Sequence, residues 1–367
     1  MRILHIYKDY HPVLGGIENH VRTLAELQAG AGQAVTVLVT NPGGQPPRVR
    51  IGGVDVVRLP HLATVASTPL SLGFPAAIRR LAPDITHLHF PYPVGELGQL
   101  LGGRGRPYVL TYHSDVVRQR ALLRLYRPLL ERFLDGARRI LPTSENYMRS
   151  SEFLNQRSDQ CSVVSLCVDP ERFEDAEPLL PPVEVLTILF VGRHRYYKGV
   201  DDLLRAMVGL NARLLIGGDG PERAAWERLA GELGLGDRVL FLGEVPDADL
   251  PGLYASADIF ALPANSRAEA FGKVLLEAMA AGLPCVTTEL GTGTSFVVRD
   301  GESGLVVPPR NPEALRIAME TLLVHPRRRD AMGAAGRSRV LADFTPSKLY
   351  DRVLAVYLNA MDRRIES

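Results

Sequence analysis

Two glutamates, Glu269 and Glu277, stand with seven residues between them around a predicted helix start in the run SRAEAFGKVLLEAMAAGLPCVTTELGTGTSFVVRDGESGLVVPP, residues 266–309. Glu269 falls in a loop that follows the apolar strand 259–263. Ala270, Phe271, Gly272 and Lys273 then lead into a helix whose first N–H groups lack intrahelical partners and so attract anions. If the helix starts near Phe271, Glu277 lies about two turns inside it, roughly 9 Å along the axis. An elongated ligand would then meet a hydroxyl acceptor at Glu269, a diphosphate site at the helix end and a second hydroxyl acceptor at Glu277.

Cations occur where such a ligand would need them. Arg193 and Lys198 stand in the loop after a strand in FVGRHRYYKGVDDLLRAM, and Gly199 opens the next helix. Two positive charges at the carboxyl end of a strand suit a pyrophosphate leaving group, holding the charge that grows as a bond to it breaks. Arg195 reads as a solvated surface cation. In the N-terminal half, Gly15 and Gly16 precede an amphipathic helix, where they permit close backbone approach and positive φ; Glu18 reads as a first-turn carboxylate facing the helix dipole. His113 ends the strand YVLTYH and is followed by Ser114 and Asp115. His87 and His89 alternate with apolar residues, which puts both on one face of their strand, His87 as a structural residue and His89 nearer the functional end. No third metal ligand is evident beside either histidine pair, so no metal site is expected.

The elements that must position these residues alternate strand and helix through both halves. Buried strands are predicted at 3–7, 34–40, 54–60, 85–90, 108–113 and 139–144, and again at 187–192, 212–218, 238–243, 259–263, 284–288 and 304–309. This pattern predicts an α/β fold of two Rossmann-like, doubly wound parallel-sheet domains, 1–178 and 183–346, with a proline-rich linker near 176–185 and a last helix over 347–365. Ligands of such sheets bind outside the carboxyl ends of the strands, so two facing lobes would create a cleft.

Composition narrows the function classes. The 367 residues are 46% hydrophobic and carry a net charge of +1, enough for two proper cores and with no global signature of a nucleic-acid binder. Cys161, Cys167 and Cys285 follow no metal or redox spacing and read as buried thiols in a reducing compartment. The N-terminus lacks the pattern of a secretory signal and no apolar run approaches membrane-spanning length, so the expectation is a soluble, cytoplasmic protein. Arginines 118, 120, 124, 127, 132, 138 and 139 decorate a leucine-rich stretch that suits peripheral contact with an anionic membrane, with Pro128 predicted to break the helix.

Taken with EAFG, EAMAAG and GLVVPP, the two glutamates resemble the E-x7-E element of retaining glycosyltransferases of GT-B family 4. The resemblance runs from GGIENHV to GLVVPP and is most specific between Arg193 and Pro309. It implies a GT-B fold whose terminal helix crosses back to the first lobe, with donor in the second lobe and acceptor in the first. It further implies that Glu269 contacts the donor sugar and Glu277 the nucleotide ribose. Arg193 and Lys198, matching G-R-x4-K-G, would hold the diphosphate, with Gly15 and Gly16 beside it. Leu242 to Val245 would meet the base through main-chain groups, and His113, in a strand-terminal H-S-D segment, would lie near the reacting centre. His89, Tyr112 and Ser114 are then acceptor-side candidates. The run 291–295 matches a loop that commonly reads G-G-x-x-E, but Phe296 stands where the acidic residue is usual. IGGDGPE (216–222) fits the family's structural turn better than a dinucleotide fingerprint.

The implied activity is retaining, metal-independent transfer of a hexose from a UDP-hexose or GDP-mannose to a glycan, lipid-linked or small-molecule acceptor, in surface polysaccharide or glycolipid synthesis. No cofactor is implied. A sugar-nucleotide epimerase, a sugar phosphorylase or a non-catalytic sugar-nucleotide-binding protein on the same architecture stands as the alternative.

Overall fold

The computed structural model describes residues 1–13, 15–41, 43–65, 68–115 and 120–362, with backbone alone for 120–123. It divides into two compact units, residues 1–166 with 346–367, and residues 167–345.

The first unit holds β1 (Arg2–Ile6), β2 (Ala34–Asn41), β3 (Arg48–Ile51), β4 (Val54–Pro60), β5 (Ala63–Val65), β6 (Thr68–Leu70), β7 (Ile85–Phe90), β8 (Tyr108–Tyr112) and β9 (Arg139–Pro142). Seven of these form one sheet in the order β3-β4-β2-β1-β7-β8-β9, parallel except for β3, which runs antiparallel to β4. β5 and β6 make a separate antiparallel hairpin. Every residue of β7 and β8 is buried, as expected of central strands covered on both faces. The missed strands lack that signature. β3 alternates charged and apolar residues at an edge, and β6 contains Pro69.

The second unit holds β10 (Thr187–Val191), β11 (Arg213–Gly217), β12 (Val239–Gly243), β13 (Ile259–Leu262), β14 (Cys285–Thr288) and β15 (Gly304–Val307). They form an all-parallel sheet ordered β12-β11-β10-β13-β14-β15. This is the doubly wound order in which the chain reverses direction between β10 and β13, and the loops after those two strands flank the switch point where ligands of open α/β sheets bind.

Three expectations are corrected. Residues 167–178 belong with the second unit: Val168 N–H donates to the Phe344 carbonyl at 2.9 Å, and Phe173 stands edge-on to Tyr254 at 5.5 Å. The prolines of 178–182 therefore do not mark the boundary, and Leu179 N–H is already bound to the Gly252 carbonyl at 2.8 Å. The helix of the glutamate motif runs Lys273–Ala280 after Gly272, which adopts φ 82°. Glu277 is thus its fifth residue, about 6 Å from its start rather than two turns in. The helix Arg120–Asp135 runs through Pro128, held by burial of Leu130, Phe133 and Leu134.

The last helix, Pro346–Asp362, packs on the first unit, where Gln28 and Gln33 donate to Tyr357 and Tyr350 at 3.2 Å each. Arg118 and the side chain of Arg120 lie outside the described residues, and Arg127 is engaged by Glu131 and Glu152 at 2.7 and 2.8 Å. Among the described residues, no helix is long and apolar enough to cross a membrane. Cys161, Cys167 and Cys285 are free thiols.

Beside the candidate site the fold demands glycine at 199. Gly199 ends the loop after β10 with φ 67°, and a Cβ there would sit 2.1 Å from the carbonyl oxygen of Pro263, just beyond β13. Gly199→Ala should therefore destabilise the protein by about 2–4 kcal/mol through positive-φ strain and the clash together. A clear fall in Tm is the expected readout; an unshifted Tm would contradict the close approach of the two loops.

Candidate functional site

In the second unit the loops after β10 and β13 bring together what the sequence separates by 71 positions: Lys198 Nζ donates to Glu269 Oε2 at 2.5 Å, both side chains being only 10% exposed. Lys198 also lies over the Tyr197 ring, 5.6 Å from its centroid, and the Tyr197 carbonyl accepts from Asn265 N–H at 2.9 Å. Burial by itself would lower the lysine's pKa, but the charge of Glu269, followed by Tyr197 and Glu277, raises it above the ordinary value. The ammonium therefore stays charged in a desolvated place. Arg193 is exposed, with no ion pair among the described residues.

Glu277 accepts from the buried Tyr254 hydroxyl at 3.0 Å and lies 3.8 Å from Lys273 Nζ. Burial first, and the neighbouring Glu277 second, push the Tyr254 pKa well up, so the phenol stays protonated and donates. Tyr254 was not singled out from sequence. Its signal was an aromatic hydroxyl in the apolar turn of LPGLYA, which only its hydrogen bond to Glu277 reveals.

The run 291–295 closes on the motif. Gly293 N–H donates to the Ala270 carbonyl at 2.8 Å, and Phe271 is buried against Gly293. Glu289 binds Gly291 N–H at 2.7 Å and Ser295 Oγ at 2.8 Å, while Phe296 packs on Phe344 and under Arg339. The aromatic residue at 296 is thus part of the unit's packing. Of the expected base-contact segment, Leu242 lies in the edge strand β12, and Val245 Cγ2 would be 3.6 Å from a Cβ at Gly217.

The first unit collects histidines. Strand register places His5 of β1 opposite His87 of β7, and His89 opposite Thr111 of β8. Alternation puts His5, His87, His89, Thr111 and His113 on one face of the sheet. His113 Nε2 is 3.2 Å from His89 Nδ1, and His89 Nε2 is 3.1 Å from His5 Nδ1. His20, from the helix Gly16–Gly30, stands edge-on to His89 and His113 at 5.7 and 5.2 Å. All five are buried. Desolvation lowers the pKa of His5 to about 4 and those of His87, His89 and His113 well below the ordinary value, so these four imidazoles are neutral near pH 7.

This cluster corrects the statement that no third ligand stands near the histidine pairs. The ring nitrogens of His5, His87 and His89, and those of His20, His89 and His113, lie within 4.8 Å of one another, close enough for each trio to hold a transition metal. Two of the acceptor-side candidates lie in the interior. Tyr112 is fully buried, stacked on Phe90 at 4.4 Å with its hydroxyl donated to Asp115 at 2.9 Å, and His89 is buried with both ring nitrogens engaged. The polar atoms of both are thus engaged within the interior, whereas Ser114 is half-buried.

Gly15 is extended at φ −177°, so it does not use the positive φ that glycine permits. What it permits is close approach, since a Cβ would sit 2.2 Å from Glu18 Oε2. Glu18 is itself buried and lies 3.7 Å from Lys8 Nζ.

Comparison with known proteins follows the same division. The family described as "Glycosyltransferase Family 4" matches residues 14–172, and that described as "Glycosyl transferases group 1" matches residues 171–339. The D-rhamnosyltransferase WbpZ of Pseudomonas aeruginosa is 40% identical over 94% of this chain and 92% of its own. The O-antigen chain mannosyltransferase C of Escherichia coli is 33% identical over 99% and 100%. Sucrose-phosphate synthase from Thermosynechococcus elongatus shares the fold, with a TM-score of 0.79, 23% identity and coverage of 99% of both chains.

The buried pair makes a stability prediction. Removing one partner leaves an uncompensated buried charge, so Lys198→Met and Glu269→Gln should each destabilise by about 3–5 kcal/mol, whereas the double variant should recover most of the loss. Unfolding by urea measures this, and strictly additive single effects would contradict the pairing. Because the lysine's folded pKa lies above 10.5, its contribution is fully present below that value and is lost only as pH rises past it. Stability between neutral pH and roughly pH 9 should therefore not change on its account.

Proposed function

The chain is a member of glycosyltransferase family 4 with the GT-B fold, and from that premise we propose that it transfers a manno-configured hexose from a GDP-sugar, with retention of configuration, in the synthesis of a surface polysaccharide or glycolipid. The observation that carries this reading is the Lys198–Glu269 pair at the switch point of the second sheet, with Glu277 on the adjoining helix. It supplies a desolvated cation for a diphosphate between two carboxylates able to accept hydroxyl hydrogens. The sugar preference is supported by the two relatives, one named for rhamnosyl and one for mannosyl transfer, since D-rhamnose is 6-deoxymannose.

The second unit holds the donor. Glu269 accepts from the hexose, Glu277 from the ribose, Arg193 and Lys198 neutralise the diphosphate, and the segment from Leu242 to Val245 meets the base through its main chain. As the bond from the anomeric carbon to the diphosphate oxygen breaks, the acceptor oxygen bonds to the same face of that carbon and its proton passes to the departing phosphate. His113, in the first unit, orients a hydroxyl of the acceptor. Charge growing on the leaving group is met by fixed cations, which removes the need for a divalent ion. The acceptor is a glycan or lipid-linked glycan. Arg124, Leu125 and Arg132, exposed on one helix, suit peripheral contact with an anionic membrane.

The test combines binding and turnover. GDP should raise Tm without magnesium, and UDP, ADP and NAD should raise it less. Turnover of GDP-mannose should withstand EDTA and fall by roughly 100-fold or more in Lys198→Ala. An unchanged rate in that variant would remove the phosphate role, an EDTA-sensitive rate the metal-independent one, and an inverted anomeric product the retaining one.

A further inference from the structure

The five buried histidines are more than a polar patch, because the hydrogen-bond chain through four of them has a direction. Tyr357, on the terminal helix, lies 2.6 Å from His87 Nδ1. Gln28 Nε2 donates to the Tyr357 oxygen at 3.2 Å, which leaves the phenol's one hydrogen for His87. Tyr357 therefore donates to His87, whose one N–H is on Nε2 and points to Thr111 Oγ1 at 2.7 Å. The same orientation of the Gln28 carboxamide turns its oxygen toward His5. His5 Nε2, 2.7 Å from that oxygen, must donate.

From there the direction propagates, because a neutral imidazole has one N–H and one lone pair. His5 Nδ1 can only accept, so His89 donates to it from Nε2. His89 Nδ1 then accepts, and His113 donates to it from Nε2. We propose that Tyr357 is a positioning residue that, through Gln28, His5 and His89, holds His113 as the Nε2–H tautomer and leaves a lone pair on its Nδ1. His113 can then accept a hydrogen bond from a substrate hydroxyl through Nδ1 and cannot donate one. The consequence for turnover rests on the transferase reading above; the tautomer does not. A metal in either trio would compete for the same lone pairs and erase this order.

Nitrogen-15 spectroscopy of the intact protein labelled at its nine histidines reads tautomers directly. Resonances are assigned by single His→Gln variants. His5, His87, His89 and His113 should all appear as Nε2–H, in slow exchange with water, and should not change on addition of EDTA. In Tyr357→Phe, which keeps the ring and removes the hydroxyl, an Nδ1–H population should appear at His113. There, kcat for GDP-mannose should fall in proportion to that population with the donor KM unchanged. Nδ1–H at His113 in the wild-type protein overturns the proposal whether or not the variant folds. So does a metal-bound signature, in which EDTA shifts the imidazole nitrogens and Zn2+ restores them. An unaltered His113 spectrum in Tyr357→Phe would remove Tyr357 as its source. Absence of turnover with every donor would instead count against the transferase reading, because the tautomers are read without it.

Discussion

A lysine ammonium and a glutamate carboxylate buried together at 2.5 Å are the constraint on which the second unit's site depends. Neither charge is tolerable there alone, so the loops after β10 and β13 must close on each other. The approach of Gly199 to the Pro263 carbonyl, the Tyr197 carbonyl bound by Asn265 and the Tyr197 ring beneath the ammonium all follow from that closure. The same contact positions the motif helix, because Glu269 enters it through Ala270–Gly272 and Gly293 clamps the Ala270 carbonyl. A ligand phosphate arriving beside Lys198 would meet a cation already desolvated and oriented, which is what electrostatic stabilisation of a leaving group requires.

The first unit solves a different problem. Its sheet buries imidazoles where apolar side chains would ordinarily lie, and buried polar groups cost several kcal/mol unless paired. The solution is a hydrogen-bond chain completed from two helices far apart in sequence, Gly16–Gly30 through Gln28 and Pro346–Asp362 through Tyr357. The terminal helix thus provides more than apolar cover: it supplies the phenol that satisfies His87. Such a network is rigid when complete and costly when one member is missing.

Most of the scaffold was legible in the sequence because buried parallel strands are short apolar runs punctuated by glycine and proline. All twelve strands read from the sequence appear within a residue or two at each end. The missed ones, β3 and the β5–β6 hairpin, are exposed or proline-bearing and carry no such signal. Glu269 and Lys198 were each visible as motif residues, but their pairing was not, since no periodicity links positions in different strand-end loops. Tyr254 beneath Glu277 escaped for the same reason. His5 was overlooked as one polar residue in ILHIY, and its place in a cluster became apparent only once β1 and β7 were put in register. The burial of Tyr112 and His89 was likewise not legible from their places at the ends of apolar strands.

The central claim is that Lys198, held by Glu269, is preorganised for the second phosphate of a nucleotide donor. Calorimetric titration of GDP and GMP against the wild-type protein and Lys198→Ala, well below the variant's Tm, tests it most directly. The account predicts that the variant loses GDP affinity by about tenfold or more, roughly 1.4 kcal/mol, with GMP affinity unchanged. Equal losses for the two nucleotides, or none for either, would contradict it.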